Sequence, residues 1–380
     1  MKLVIDENIA FAKEAFSRFG ELLLINGREI NNKILSETDV LIVRSITNVD
    51  EQLLKNTKVK FVGTATIGTE HIDTNFLKEN SISFTDAKGC NADSVAEYVF
   101  TALLNVVVKK KISLRNKTIG VNGVGNIGSR VVKYADVLGL KILKNDPPKE
   151  REEIGGDYVS LDETLSADII TLHVPMNKSG IDKTFHLLDE NKMRIIKQGA
   201  ILINTSRGAV IDNEALLRII SSEKLDVVLD VWEGEPLINS DLLEKVDIGT
   251  VHIAGYSLEG KVNGTKMIYD ALCNFTGNQP NWDPDLPGVE NSEITLPVQG
   301  SIEEKLYFVF NKIYDIDSDN KKTKKIINMD TEAGGRYFDE LRKTYPLRRE
   351  FNNYTVTINK DEKEFVELLK KFRFNVKIVN

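Results

Sequence analysis

KTIGVNGVGNIGSRVVKYADVLG, residues 117–139, reads as a strand, a glycine turn and a helix in immediate succession. TIGVN is a short apolar strand. Gly123, Gly125 and Gly128 form G-x-G-x-x-G, and SRVVKYADVLG is the helix that the turn opens. The first glycine permits a tight turn, the second lets a pyrophosphate approach the backbone, and the third allows helix and strand to pack closely. The helix N-terminus offers unpaired N–H groups and a partial positive charge to phosphate. The next strand, KILKND (141–146), ends on Asp146. A carboxylate there accepts hydrogen bonds from ribose hydroxyls and repels a 2′-phosphate, which favours NAD over NADP. The plainer alternatives are a glycine turn without a ligand and an Asp that caps a helix begun at Pro147–Pro148.

Working outward, the same alternation of strand and helix recurs on both sides. ADIITLHVP (167–175), GAILINTSRG (199–208) and LDVVLDVWE (225–233) read as further strands, and the series ends near IGTVHIAGY (248–256). Upstream, KLVID (2–6), ELLLIN (21–26), DVLIVRS (39–45), KFVGTAT (60–66) and ISFTDA (82–87) are short apolar runs. IAFAKEAFSRFG (9–20) and NVDEQLLKN (48–56) between them have helical spacing. Strands separated by helices predict parallel sheets covered on both faces, with ligands collecting beyond the carboxyl ends of the strands. NADSVAEYVFTALLNVVV (91–108) is apolar enough that it must be a buried helix, at a domain or subunit boundary. GTKMIYDALCNFTG (264–277) predicts a helix packed on the N-terminal region.

Past Pro280 the texture changes. NWDPDLPG is a linker, and a small α+β unit follows from ITLPV and IEEKLYFVFNKIYDI to YTVTI, DEKEFVELLKKFRF and NVKIV. Phe365, Leu368, Leu369 and Phe372 fall on one face of the last helix. The expected division is therefore a discontinuous domain of residues 1–90 and 257–280, a dinucleotide domain of 91–256, and a C-terminal domain of 281–380.

Three residues at strand ends carry chemistry. Arg207 in LINTSRGAVID suits a two-pronged bond to a carboxylate, although a surface arginine capping neighbouring carbonyls reads equally well. His252 in VHIAG would be an ordinary core histidine but for an available acid. Glu235, before Pro236, could bond the far ring nitrogen, fix the tautomer and stabilise the protonated ring, giving a proton carrier. Glu233 is the rival carboxylate. Asp230 ends its strand facing either a nicotinamide or a turn that it caps. His71 and His186 have no such setting, His173 in TLHVP lies at a strand end near the cofactor crevice where the backbone of Val174 and Pro175 counts for more than the imidazole, and no His/Cys/carboxylate spacing predicts a metal.

Bulk properties agree with an enzyme of this kind. The 380 residues imply two or three domains, with 41% hydrophobic and 28% charged residues. A net charge of −7 argues against nucleic-acid binding. Two cysteines, Cys90 and Cys273, suggest a reduced cytoplasmic setting, and no run predicts a signal peptide or a membrane span.

GVGNIG, INTSRG, DVWEGEP and the HIAG histidine together resemble the D-isomer-specific 2-hydroxyacid dehydrogenase family. LIVRSITNV, FVGTATIGTEHID, GCNADSVAEYV and VDIGTVHIAGYSLEGK extend the resemblance over essentially the whole chain, closely through residue 280 and more loosely beyond. It implies an α/β fold of two Rossmann-like doubly wound domains with a cleft between them, plus a small α+β C-terminal dimerisation domain. It implies NAD as cofactor, a phosphorylated hydroxy acid as substrate and a homodimer. Arg207, Glu235 and His252 would be catalytic. Asp146, Val174, Thr205, Ser206, Asp230 and Gly255 would line NAD beside the glycine-loop amides of Asn126 and Ile127. Ser45, Thr66 and Tyr256 would contact substrate. Arg44 and the Thr64–Gly68 loop are candidates for the phosphate, as are Arg348 and Arg349 in PLRREF, the last two reaching in from a partner subunit. A dehydrogenase for a different phosphorylated acid, or an NAD-sensing binding protein without catalysis, is the competing expectation.

Overall fold

A computed structural model describes residues 1–153, 156–222, 225–296 and 299–379, so Pro297 and Val298 of the expected ITLPV strand lie outside the described residues. The chain divides into two compact units: residues 1–91 with 257–288, and residues 92–256 with 289–380.

The first unit holds five parallel strands, β1 (Lys2–Asp6), β2 (Glu21–Ile25), β3 (Val40–Val43), β4 (Phe61–Thr64) and β5 (Ser83–Asp86), in the order β2-β1-β3-β4-β5. The period of two along each strand sorts its side chains onto two faces. Leu3, Ile5, Val40, Ile42 and Phe61 pack against Ile268, Tyr269, Leu272 and Cys273 of the helix Leu258–Thr276. Val4, Leu41, Val43 and Val62 pack on the other face with Leu35, Leu53, Leu54 and Leu77. Central strands buried on both sides are what a parallel sheet requires. The short helices Asn32–Leu35 and Thr74–Glu79 escape a reading by apolar period because each spans about one turn.

In the second unit six parallel strands run β11-β10-β9-β8-β6-β7: β6 (Thr118–Asn122), β7 (Lys141–Asn145), β8 (Ile169–Leu172), β9 (Ile201–Asn204), β10 (Asp226–Leu229) and β11 (Ile248–Gly249). One face, with Ile119, Val121, Ile169, Ile201, Ile203 and Val228, shares a core with the helix Ala92–Lys110. The opposite face, with Ile170, Leu172, Leu202, Val227 and Leu229, packs on Ala215, Leu216 and Ile219.

Residues 289–379 add the helices Ile302–Ile313, Thr331–Lys343 and Lys363–Lys371 and a parallel three-stranded sheet, β12 (Glu293–Thr295), β13 (Thr355–Asn359) and β14 (Asn375–Val379). This C-terminal layer lies in the same compact unit as the dinucleotide fold, where the sequence division put a boundary at 281. The reason is a common aromatic core. Phe372 packs on Tyr134 at 4.8 Å between ring centroids, and Phe310 packs on Phe351 at 4.5 Å. The long apolar helix Ala92–Lys110 is accordingly covered within its own chain.

Candidate active site

The parallel sheet gathers the candidate residues because each follows the carboxyl end of a strand. Gly123 follows β6, Asp146 follows β7, and His173–Val174 follow β8. Thr205–Arg207 follow β9, Asp230 follows β10, and His252 follows β11 by a short loop.

The three glycines separate cleanly by surroundings. Gly123 has φ +85°, the left-handed region where a side chain is strained, and a Cβ there would meet the His173 carbonyl. At Gly128 a Cβ would lie 1.9 Å from the Gly123 carbonyl oxygen, so this glycine exists for helix–strand contact. A Cβ at Gly125 would meet nothing within 4 Å. It stands exposed at the N-cap of the helix Asn126–Val137, an end without a side-chain cap, beside exposed Asn126 and half-buried Ile127. That open cradle at a helix N-terminus fits a pyrophosphate. Asp146 Oδ2 accepts from Val124 N at 2.7 Å and Oδ1 caps the helix Pro147–Glu152 through Lys149 N at 3.1 Å. The capping role read from Pro147 is thus present, and the same bonds aim the carboxylate at the glycine turn.

His252 and Glu235 are a pair: both carboxylate oxygens lie 3.1 Å from Nδ1. This leaves Nε2 for a proton from elsewhere. Two anchors put Glu235 there. The buried Trp232 indole donates to Thr250 O at 2.8 Å, tying the loop after β10 to the loop after β11. Glu233 is held elsewhere, with Oε1 2.8 Å from His186 Nε2 and its backbone N donating to Asn213 Oδ1 at 3.1 Å. Gly208 packs so tightly under this loop that a Cβ would sit 1.9 Å from the Trp232 carbonyl carbon, which fixes the neighbouring Arg207 turn. Arg207 Nη1 donates to Ser206 O at 2.8 Å.

Asp230 is buried, with its carboxylate on the His252 loop: Oδ1 accepts from Thr250 Oγ1 (2.7 Å) and Ile253 N (2.8 Å), and Oδ2 from Ala254 N (2.9 Å). Of its two sequence readings, the structure displays the turn cap. Thr205 and Ser206 are nearly buried, and the Ser206 hydroxyl donates to Asn204 Oδ1. Val174, Gly255 and Tyr256 are half-buried. His173 is a supporting residue, with Nε2 2.9 Å from Thr171 Oγ1. Burial of its ring pushes its pKa down to about 3, so it stays neutral.

Ser45 and Thr66 belong to the first unit, after β3 and β4. Ser45 is exposed, and the Thr66 hydroxyl is 2.7 Å from Thr64 Oγ1 and donates to Gly68 O at 3.1 Å. Arg44 is half-buried beside them. Lys261, in the first turn of the helix Leu258–Thr276, escaped the sequence reading. Its side chain is exposed as a whole, yet desolvation of the ammonium and the nearby Arg44 charge lower its pKa. The signal was the lysine closing HIAGYSLEGK, visible only as a cation without a distance to Arg44.

One expectation needs correction. Arg348 and Arg349 are not available to a partner subunit's substrate: each is only 7% exposed. The Arg348 guanidinium donates to Ala254 O and Tyr256 O of its own chain, and Arg349 donates to Asn353 Oδ1. The sequence spacing also concealed a cluster, His186, Asp212 and Glu233, with ligand-type atoms within 4.8 Å of one another. Asp212 caps the helix Asn213–Ile219 and Glu233 bonds His186, so its evident work is to anchor the Glu235 loop.

The D-isomer specific 2-hydroxyacid dehydrogenase NAD binding domain matches residues 105–254, and a domain of unknown function matches residues 286–372. The chain is 46% identical over 380 residues to an erythronate-4-phosphate dehydrogenase of Escherichia coli O139:H28, covering 99% of this chain and 98% of that one. It is 45% identical over the same span to one from Shigella flexneri. Among solved structures, a D-lactate dehydrogenase from Aquifex aeolicus with NAD and lactic acid aligns with TM-score 0.60 at 29% identity, covering 73% of this chain and 96% of that one. An NAD⁺-bound 3-phosphoglycerate dehydrogenase from Entamoeba histolytica aligns with TM-score 0.62 at 25% identity, with the same coverage. With its glycine cradle, its imidazole–carboxylate pair and relatives matching end to end, the chain belongs to the D-isomer-specific 2-hydroxyacid dehydrogenase family of NAD-dependent oxidoreductases.

Proposed function

We propose that the protein oxidises 4-phospho-D-erythronate to 2-oxo-3-hydroxy-4-phosphobutanoate, a step towards pyridoxal 5′-phosphate. The observation that carries this reading is the His252–Glu235 pair, 3.1 Å from Nδ1 to both oxygens, in a chain matched along its length by erythronate-4-phosphate dehydrogenases. Arg207 grips the C1 carboxylate and polarises the C2 oxygen. His252 Nε2 removes the C2 hydroxyl proton, and Glu235 stabilises the imidazolium that forms. The glycine turn of Gly123, Gly125 and Gly128 would hold NAD, which would supply the acceptor for the C2 hydride. Thr205, Ser206, Val174 and Gly255 would line it, with Asp230 holding the loop beside them, and Asp146 would take its ribose hydroxyls. The substrate's phosphate is taken by Arg44 and Lys261 with Ser45 and Thr66, all of the first unit.

Steady-state NADH absorbance with 4-phosphoerythronate, its unphosphorylated form and 3-phosphoglycerate tests the substrate. A preference for 3-phosphoglycerate would replace this reading with its nearest rival. His252→Ala is expected to cost roughly 10²–10⁴-fold in kcat, the range of a lost general base. Full turnover by that variant would overturn the mechanism, and absence of turnover by the wild type would favour an NAD-sensing protein. We also propose a cytoplasmic homodimer joined through the C-terminal layer, where β14 presents exposed Ile378 and Val379. Light scattering on the full chain and on Ile378→Lys tests it: a wild-type monomer would remove the idea.

A further inference from the structure

We propose that Arg348 is a positioning residue for the reaction, holding carbonyls of the loop that carries His252 while Asp230 holds its donors. The inference rests on the reading of His252 as proton carrier. It concerns residues 250–256 and what grips them.

His252 sits at φ +59°, the left-handed region that a residue with a Cβ occupies at a cost. Such a backbone persists only when its surroundings fix it. On one side Asp230 does so, accepting from Ile253 N, Ala254 N and Thr250 Oγ1, while its own carbonyl accepts from His252 N at 2.7 Å. Those bonds hold the donors of the loop. Its acceptors are held from the C-terminal layer. Arg348 Nη2 donates to Ala254 O at 2.6 Å and to Ser94 Oγ, and Nε donates to Tyr256 O at 3.1 Å. Ser94 Oγ in turn donates to Ala254 O at 3.0 Å. The guanidinium carbon lies over the Tyr314 ring, 4.4 Å from its centroid, a cation–π contact that adds to the hold on the side chain.

A carboxylate on the N–H groups and a guanidinium on the carbonyls thus bracket the segment between His252 and Tyr256. A planar fork that reaches carbonyls two residues apart is geometry that lysine does not reproduce. The sequence placed Arg348 at the substrate phosphate, but burial assigns it to the backbone of the catalytic loop. The consequence reaches past one residue. Arg348 belongs to the segment matched by a domain of unknown function, so that domain contributes directly to the order of the catalytic histidine.

The test compares full-length wild type, Arg348→Met, Arg348→Lys, Ser94→Ala and His252→Asn by steady-state kinetics and by hydrogen exchange of peptides spanning 250–256. A displacement near 1 Å can cost about 100-fold in rate, so Arg348→Met is expected to lose on the order of 10- to 100-fold in kcat. Exchange at 250–256 should accelerate, and Arg348→Lys should recover part of kcat. Ser94→Ala removes the hydroxyl that donates to Ala254 O and accepts from Arg348, and should lose about fivefold. It carries the test if Arg348→Met melts too low to assay. Wild-type kcat in folded Arg348→Met, or in Ser94→Ala where that variant stands in, overturns the proposal whatever the exchange shows. A loss of kcat with unchanged exchange at 250–256 overturns it too. Undiminished turnover by His252→Asn overturns the proton-carrier reading instead, and is read independently of the arginine variants.

Discussion

Glu235, and not Glu233, meets His252 because the loop between them is pinned at Trp232 and Glu233 before it turns. The indole of Trp232 is spent on Thr250 O and the Glu233 carboxylate on His186, so the next acid along is the one left facing the imidazole. Glu235→Gln keeps the shape and removes the charge that stabilises an imidazolium. It is expected to lower kcat roughly 100-fold with little change in KM for NAD. Glu233→Gln should leave kcat near wild type, and stopped assays on both variants check the contrast. Two rival acids could be named from DVWEGEP, but the choice between them could not. It depends on the hydrogen bond that holds Glu233 to His186, a residue distant in sequence.

At the scale of the element, the glycine turn shows how closely a local pattern can be read. Three identical residues do three different jobs, and the structure distinguishes them by what a methyl group would strike. Gly128→Ala places a Cβ 1.9 Å from a backbone oxygen. Overpacking of that kind costs about 1–3 kcal/mol, which melting curves would show as a drop of several degrees. Gly125→Ala meets open space. It should leave the melting temperature in place and weaken NAD about tenfold by fluorescence titration, because the Cβ stands where the pyrophosphate approaches the backbone. The strands were equally legible, since apolar runs bounded by turn residues coincide with β1, β3, β6, β8 and β9. The helices near Asn32 and Thr74 were not, because one turn contains no period to detect.

Over the whole molecule, the C-terminal layer and the dinucleotide fold share a core that encloses charge. Glu97, in the long buried helix, accepts from Phe351 N at 3.0 Å and lies 3.5 Å from Arg373, while Glu350 bonds the same arginine at 3.1 Å. Burial and the neighbouring Glu350 push the Glu97 pKa well above its ordinary 4.5, against the pull of Phe351 N–H, Arg348 and Arg373. Between the ordinary and the raised value, the folded chain binds a proton that the unfolded chain has released. Stability from this group is therefore complete below about pH 4.5 and is lost as pH rises through the folded value. Glu97→Gln should melt progressively higher than wild type from pH 5 to pH 9, and a constant difference across that range would refute the account. What the sequence determined by itself was whatever neighbours in the chain encode: strand and helix periods, the glycine turn, and the acids, arginine and histidine that end strands. That was enough for the fold class, the cofactor and the type of reaction. Only the tertiary structure decided which carboxylate pairs with His252, that Lys261 stands by Arg44, and that Arg348 grips a loop instead of a phosphate. Those are contacts between side chains far apart in sequence, and they follow from strand order and packing, which no local pattern contains.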